Sequence, residues 1–217
     1  MNELQEVNIR GIKWKTIKQH DLDLDYAVVI SKTIATKLFQ ELEDSLQYFV
    51  GDLAKIKVFG KIYPLPRQQV AYGDVGITYT YSGITVPALA WPEPVLALRD
   101  YIFKLKGIQY NFVLVNRYKN GLDHIGEHRD NESELDSNYP IASVSLGQER
   151  DFILKHKDAR KAGRDKKTIA PVKINLEHGS ILFMNPPTNE HWYHSLPIRK
   201  RLPGPRINFT FRKIRTK

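Results

Sequence analysis

Arg206-Ile207-Asn208-Phe209-Thr210-Phe211-Arg212 alternates without a break between polar and apolar side chains. On a β-strand, residues two apart point to the same face, so this stretch has two opposite faces. Ile207, Phe209 and Phe211 make an apolar face that packs against helices or a second sheet. Arg206, Asn208, Thr210 and Arg212 make a polar wall carrying two guanidiniums, which need partners when buried. No acidic residue lies within the strand, so those partners come from elsewhere in the chain or from a ligand.

The rest of the chain supports a sheet protein. Tyr26 to Ile30 reads as a short buried strand. From Tyr110 onward, Phe112, Leu114, Asn116 and Tyr118 share one strand face, and Val113 and Val115 the other. Further strands are expected at Ile141–Leu146, Asp151–Lys155, Ile169–Leu176 and Ser180–Met184. Short strands separated by Gly, Pro, Asn and Asp turns indicate a mostly β fold with flanking helices, a sandwich or jelly roll. One helix is expected after a cap at Ser31 or Thr33, with Ile34, Leu38, Leu42, Leu46 and Phe49 on its apolar side and Gly51 at its end. A second is expected from Pro92 or Pro94, through Val95, Leu98, Ile102 and Leu105, to Gly107. The run from His156 to Thr168 is polar, strongly basic and aperiodic. It reads as a solvated loop or, given the charge of the whole chain, as a phosphate grip.

The 217 residues suit one domain, here residues 26–217 after a short N-terminal segment, 1–25. Thirty-three Lys and Arg against 24 Asp and Glu leave a net charge of +9, which favours a polyanionic partner, nucleic acid first. The absence of cysteine excludes disulfides, cysteine zinc fingers and a cysteine nucleophile. Without a signal-peptide layout or a membrane-length apolar run, the expectation is a soluble, intracellular monomer with no membrane contact.

His128-Arg129-Asp130 adds a second constellation. His128 and Asp130 can hold one metal together, and a metal bound by two imidazoles and one carboxylate keeps positions open, as in non-haem iron(II) oxygenases. Spacing alone leaves the third ligand open between His191 and His194. His124 and His128 are four apart as in zinc peptidases, but Ile125 stands where that motif needs Glu. An arginine fork holds carboxylates in a bidentate way, so a small dicarboxylate chelating the metal and reaching the wall satisfies both constellations.

Asn116-Arg117-Tyr118, His128-Arg129-Asp130, His194 and Arg206-x-Asn208-x-Thr210-x-Arg212 together resemble the AlkB-type iron(II), 2-oxoglutarate-dependent dioxygenases. The longer runs Asp123 to Asp130, Trp192 to Pro197 and Asn208 to Ile214 are similar to a DNA-repair member of that family. The likeness extends over roughly residues 25 to 214. It implies a double-stranded β-helix core, iron(II) held by His128, Asp130 and His194, and 2-oxoglutarate held by Asn116, Tyr118, Arg206, Asn208, Thr210 and Arg212. It further implies O2 as oxidant, ascorbate as reductant in assays, and removal of N-linked methyl groups from 1-methyladenine and 3-methylcytosine in DNA.

A methyl on a Watson–Crick edge is reached only when the base is flipped or unpaired. The resemblance places recognition hairpins at about residues 55–90. Phe59 in Val58-Phe59-Gly60-Lys61 would be the wedge filling the gap, and Tyr79 and Tyr81 would lie around the base. Glu132 could accept from an exocyclic amine. Arg67 and the cluster Arg199-Lys200-Arg201 are expected on DNA phosphates, where each contact adds salt dependence to binding without adding sequence preference. Double-stranded DNA is the expected partner. An RNA or single-strand demethylase, and a non-catalytic basic nucleic-acid-binding module, are the alternatives. No clamp-docking motif is read in the N-terminal segment, and a nuclear location is expected in a eukaryote.

Overall fold

In the computed structural model, the described residues are 4, 11–58, 61–81, 84–161 and 167–215. The first elements are a hairpin, β1 (Lys15–Gln19) and β2 (Leu22–Val28), and helix α1 (Lys32–Ser45). Two more hairpins follow: β3 (Lys55–Val58) with β4 (Lys61–Pro64) and, after β5 (Gln68–Gly73), β6 (Thr78–Tyr81) with β7 (Ile84–Pro87). Helix α2 (Glu93–Lys106) leads to β8 (Phe112–Tyr118) and β9 (Ile125–His128). Strands β10 (Ile141–Gly147), β11 (Arg150–His156), β12 (Val172–Leu176) and β13 (Ser180–Met184) come next. A one-turn helix α3 (Thr188–His191), β14 (Trp192–Leu196) and β15 (Arg206–Arg212) complete the order.

Seven strands form one antiparallel sheet in the order β1-β2-β13-β10-β15-β8-β5, and four form a second, β12-β11-β14-β9. Leu182, Ile141 and Tyr118 of the large sheet meet Phe152, Leu154 and Trp192 of the small one in a shared core, which makes the jelly roll. The large sheet's other face is covered by the helices. Leu38 and Leu42 of α1 and Val95, Leu98 and Ile102 of α2 pack on Val113, Val115, Ile207, Phe209 and Phe211. The alternation in the 206–212 stretch therefore resolves as read: apolar side to the helices, polar side into the sandwich. Among the described residues no helix is long and apolar enough to cross a membrane.

The helices start where capping chemistry starts them. The Ser31 side chain accepts from the Ile34 N–H, and Pro92 precedes α2, whose end is closed by Gly107 at φ 69°. Helix α1 ends at Ser45, before Gly51, because Leu46 is already extended with ψ 129°. The domain boundary placed at residue 25 falls inside a strand. The sheet begins at Lys15, since Leu22, Leu24 and Tyr26 alternate inward and β2 pairs with β13. Residues 68–73, placed within the recognition hairpins, belong instead to the large sheet through pairing of β5 with β8.

Candidate active site

Strand β15 lies between β10 and β8, so its polar face is framed on both sides. Asn208 is paired with Ser145 and Asn116, and Arg206 with Gly147 and Tyr118. Arg206, Asn208, Asn116 and Tyr118 line a cavity of about 440 Å³ that also contains His128, Asp130 and His194. The small sheet supplies the two histidines directly opposite each other, by pairing His194 of β14 with His128 of β9. Asp130 lies two residues beyond β9 yet is buried against the same point.

The Nε2 atoms of His128 and His194 are 3.6 and 3.9 Å from Oδ1 of Asp130, and one ligand atom from each residue lies within 4.8 Å of the others. The Nδ1 of His128 is 2.9 Å from the Gly126 carbonyl and must donate to it. That fixes the proton on Nδ1 and leaves the Nε2 lone pair facing Asp130, the tautomer a metal ligand requires. Burial, then the neighbouring His128, lowers the His194 pKa to about 3, so this ring is neutral at neutral pH. Burial alone would raise the Asp130 pKa. Arg212 first, then the two histidines, outweigh it and hold the carboxyl well below the usual carboxylate range. Two imidazoles and an ionised carboxylate fit a divalent first-row metal.

The two arginines of the wall have different partners. Arg212 donates from Nη2 to Oδ2 of Asp130 at 2.8 Å, and its guanidinium lies 5.1 Å from the centre of the Tyr79 ring. Arg206 is 1% exposed and donates from Nη2 to Ser145 Oγ at 2.9 Å, while its Nε and Nη1 are buried without a hydrogen-bond partner. Burial pushes its pKa down to about 10. A buried guanidinium with two idle donors fits an acidic guest, and the dicarboxylate expected from the sequence matches it. Arg212 is committed first to the metal ligand.

Asn208 donates to Ser143 Oγ and the Val144 carbonyl, both at 2.8 Å, and Thr210 Oγ1 donates to Asn208 Oδ1 at 3.2 Å. The Asn116 Oδ1 accepts from Arg67 Nε at 2.8 Å and from Gln69 Nε2 at 2.7 Å. Arg67, expected on phosphate, is thus held at the cavity wall. Gln69, Ser143 and Ser145 were not singled out by sequence reasoning. The alternation of the two serines within a buried strand was the available signal.

Tyr79 is buried against Phe112, with ring centres 5.0 Å apart, and burial pushes its hydroxyl pKa well above the ordinary value. Glu132 faces the same cavity, and burial together with Asp130 raises its carboxyl pKa. Phe59 and the Tyr81 side chain lie outside the described residues. Arg199 is not free for phosphate: its Nε donates to Asp151 Oδ2 at 2.6 Å. Lys200 and Arg201 are exposed. Met184 lines this cavity and an adjoining one of about 320 Å³ behind Asp130.

His191 is outside this set. Its Nδ1 sits 3.2 Å from Asp21 Oδ2, beside His156. There the Nδ1 of His156 accepts the Asp158 N–H at 3.1 Å, which puts the ring proton on Nε2. This second cluster therefore lacks the ligand tautomer that His128 has.

A profile of the 2OG-Fe(II) oxygenase superfamily matches residues 26–212, and the chain belongs to that superfamily. It is 52% identical over 207 residues to DNA oxidative demethylase ALKBH2 of Mus musculus, covering 95% of this chain and 86% of that one. To the Homo sapiens protein of the same name it is 50% identical over 204 residues, covering 94% and 78%. To the alpha-ketoglutarate-dependent dioxygenase alkB homolog 3 of Bos taurus it is 36% identical over 153 residues, covering 70% and 53%. A solved structure of OsALKBH1 superposes with a TM-score of 0.59 at 17% identity, covering 92% of this chain and all of that one, a likeness of fold. The AlkB-type resemblance read from the motifs is thereby established, and the enzyme is an iron(II)- and 2-oxoglutarate-dependent dioxygenase.

Proposed function

We propose that the protein repairs DNA by oxidative demethylation of N-alkylated bases, 1-methyladenine and 3-methylcytosine foremost. The observation that carries this reading is the joining, in one cavity, of the His128–Asp130–His194 set with the idle donors of buried Arg206. The ALKBH2 relatives and the net charge of +9 support DNA as the substrate.

His128, Asp130 and His194 would hold iron(II), and Arg206, with Asn116, Tyr118, Asn208 and Thr210 around it, would hold 2-oxoglutarate. Together with O2 these supply the oxidation that turns an N-methyl group into a hydroxymethyl group, which leaves as formaldehyde while 2-oxoglutarate becomes succinate and CO2. Arg67 and Gln69 fix Asn116 through its Oδ1, which turns its amide NH2 away from them. Arg212 keeps Asp130 ionised and oriented. Tyr79 and Glu132 form the side of the cavity that would receive a flipped base, by stacking and by accepting from an exocyclic amine. Duplex preference, with Phe59 as the wedge, belongs to this reading, as do action as a monomer and a nuclear location in a eukaryote.

The test is incubation of a 3-methylcytosine duplex with the protein, iron(II), ascorbate and 2-oxoglutarate. Lesion loss with formaldehyde release is expected, and intact lesion refutes the reading. His128→Ala abolishes turnover while DNA binding persists. Phe59→Ala loses activity selectively on duplex. Equal activity on duplex and single strand favours the single-strand or RNA alternative, and DNA affinity without turnover favours the non-catalytic one.

A further inference from the structure

Arg150 is the first residue of β11 and is 1% exposed, yet it does not line the cavity. Its hydrogen bonds go to backbone carbonyls: from Nη1 to Asn120 at 3.2 Å, and from Nη2 to Asp123 at 2.9 Å and Pro197 at 2.8 Å. Its Nε is buried without a hydrogen-bond partner. The carboxylates nearby are engaged elsewhere, Asp123 by the Lys119 N–H and Asp151 by Arg199 and Lys173. Burial lowers the Arg150 pKa. An arginine is rarely this buried unless it is paired.

A second buried cation shares its surroundings. Tyr118 is 2% exposed, and the guanidinium carbons of Arg150 and Arg206 lie 5.8 and 5.3 Å from its ring centre. Tyr118 and Arg206 pair across β8 and β15, and both line the cavity. Burial first, and Arg150 as the neighbouring cation, lower the Arg206 pKa to about 10. Two guanidiniums thus meet one aromatic ring, and among the described residues neither has a carboxylate as its hydrogen-bond partner.

Holding three carbonyls together requires donors but no charge. A full charge at Arg150 is costly to bury and repels the charge on Arg206, and an anion arriving between Arg206 and the metal site relieves both effects. We infer that Arg150 is a positioning residue for the acid co-substrate. Through Tyr118 it braces Arg206 and adds a second positive charge behind it, so that the cavity selects a 2-oxoacid with a distal carboxylate over one without. The inference rests on the reading that Arg206 receives 2-oxoglutarate.

The test compares two acids by calorimetry on the manganese(II)-loaded protein. 2-Oxopentanoate has the chelating end and the chain length of 2-oxoglutarate, with a methyl group in place of the distal carboxylate. Arg150→Gln removes the charge and keeps a donor for the carbonyls. It is expected to raise the Kd for 2-oxoglutarate roughly tenfold, the order of effect of a unit charge inside a protein, and to leave the Kd for 2-oxopentanoate unchanged. A purely structural role for Arg150 would weaken both acids alike. That result overturns the proposal, as does an unaltered Kd for 2-oxoglutarate. Arg150→Lys keeps the charge and serves as a second variant should the first fold poorly. It is expected to retain the wild-type preference for the diacid, and loss of that preference in a folded Arg150→Lys also overturns the proposal. If the wild-type protein itself binds the two acids equally, the reading of Arg206 fails, and the inference falls with it.

Discussion

Arg212 and Asp130 form a buried ion pair at 2.8 Å that joins the two halves of the site. One partner belongs to the metal set and the other to the polar wall of β15. Neutralising a buried carboxylate with a fixed guanidinium is effective because both are out of water, and removing one partner leaves the other uncompensated.

Arg212→Gln should therefore weaken metal binding without touching a metal ligand. Partners that orient ligands in this way typically contribute about 10–100-fold in metal affinity. A cobalt(II) titration of the variant is expected to fall in that range. Wild-type affinity would show that Asp130 needs no such support.

Arg206 leads to a different expectation. Its idle donors cost stability in the absence of a guest, because a buried unpaired charge is unfavourable. Arg206→Met should raise the melting temperature of the ligand-free protein above that of the wild type. The same change should abolish stabilisation by 2-oxoglutarate, which in the wild type reaches about 2.7 kcal/mol at a hundredfold excess over Kd. A thermal melt with and without 2-oxoglutarate reads both effects. A variant less stable than wild type in the absence of the acid would show that Arg206 is structural.

The pH dependence of the metal-free protein follows from His194. Its folded pKa is depressed to about 3 from 6.5, so the unfolded chain takes up a proton that the folded one refuses. The stabilisation is fully present above pH 6.5 and is lost as the pH falls from 6.5 towards 3, by at most about 1.4 kcal/mol per pH unit. Asp130, whose carboxyl is also depressed, extends the loss to lower pH. Urea midpoints measured down this range should decline, and His194→Gln should flatten the slope. Parallel slopes in the two proteins would dismiss His194 as the cause.

Phe209 tests whether the two faces of β15 are mechanically joined. It is fully buried against the helices, and Phe209→Ala should cost about 3–5 kcal/mol. Because Asn208 and Thr210 flank it, 2-oxoglutarate affinity should fall as well. Full affinity in a folded variant would separate packing from binding.

The 206–212 strand was legible because alternation is a short-range signal and both of its faces are buried, so no other register is allowed. Strands β8 and β13 were legible instead as short, nearly continuous apolar runs, as expected of strands buried on both faces. Helix α2 was equally clear, with Pro92 and Pro94 at its start and Gly107 at its end. The edge hairpin from Lys15 was not, since β1 is mostly exposed and lacks an apolar side. Within the site, His128, Asp130 and the arginine wall were recognisable by residue type. The choice of His194 over His191 depended on family resemblance, because opposing two histidines takes the pairing of β9 with β14. The commitment of Arg212 to Asp130, of Arg67 to Asn116 and of Arg199 to Asp151 was invisible for the same reason. Each joins residues far apart in sequence that only the folded sheets bring into contact.

Met184 sits in the wall between the two cavities and is 2% exposed. The chain has no cysteine, and its one other methionine is Met1. Among the described residues, oxygen consumed at this site without a base to receive it therefore has one sulfur in the cavity wall, that of Met184. Conversion of that thioether to its sulfoxide would put a polar group into the wall behind Asp130. The fraction of Met184 oxidised, read by mass, would serve as a clock of idle turnovers.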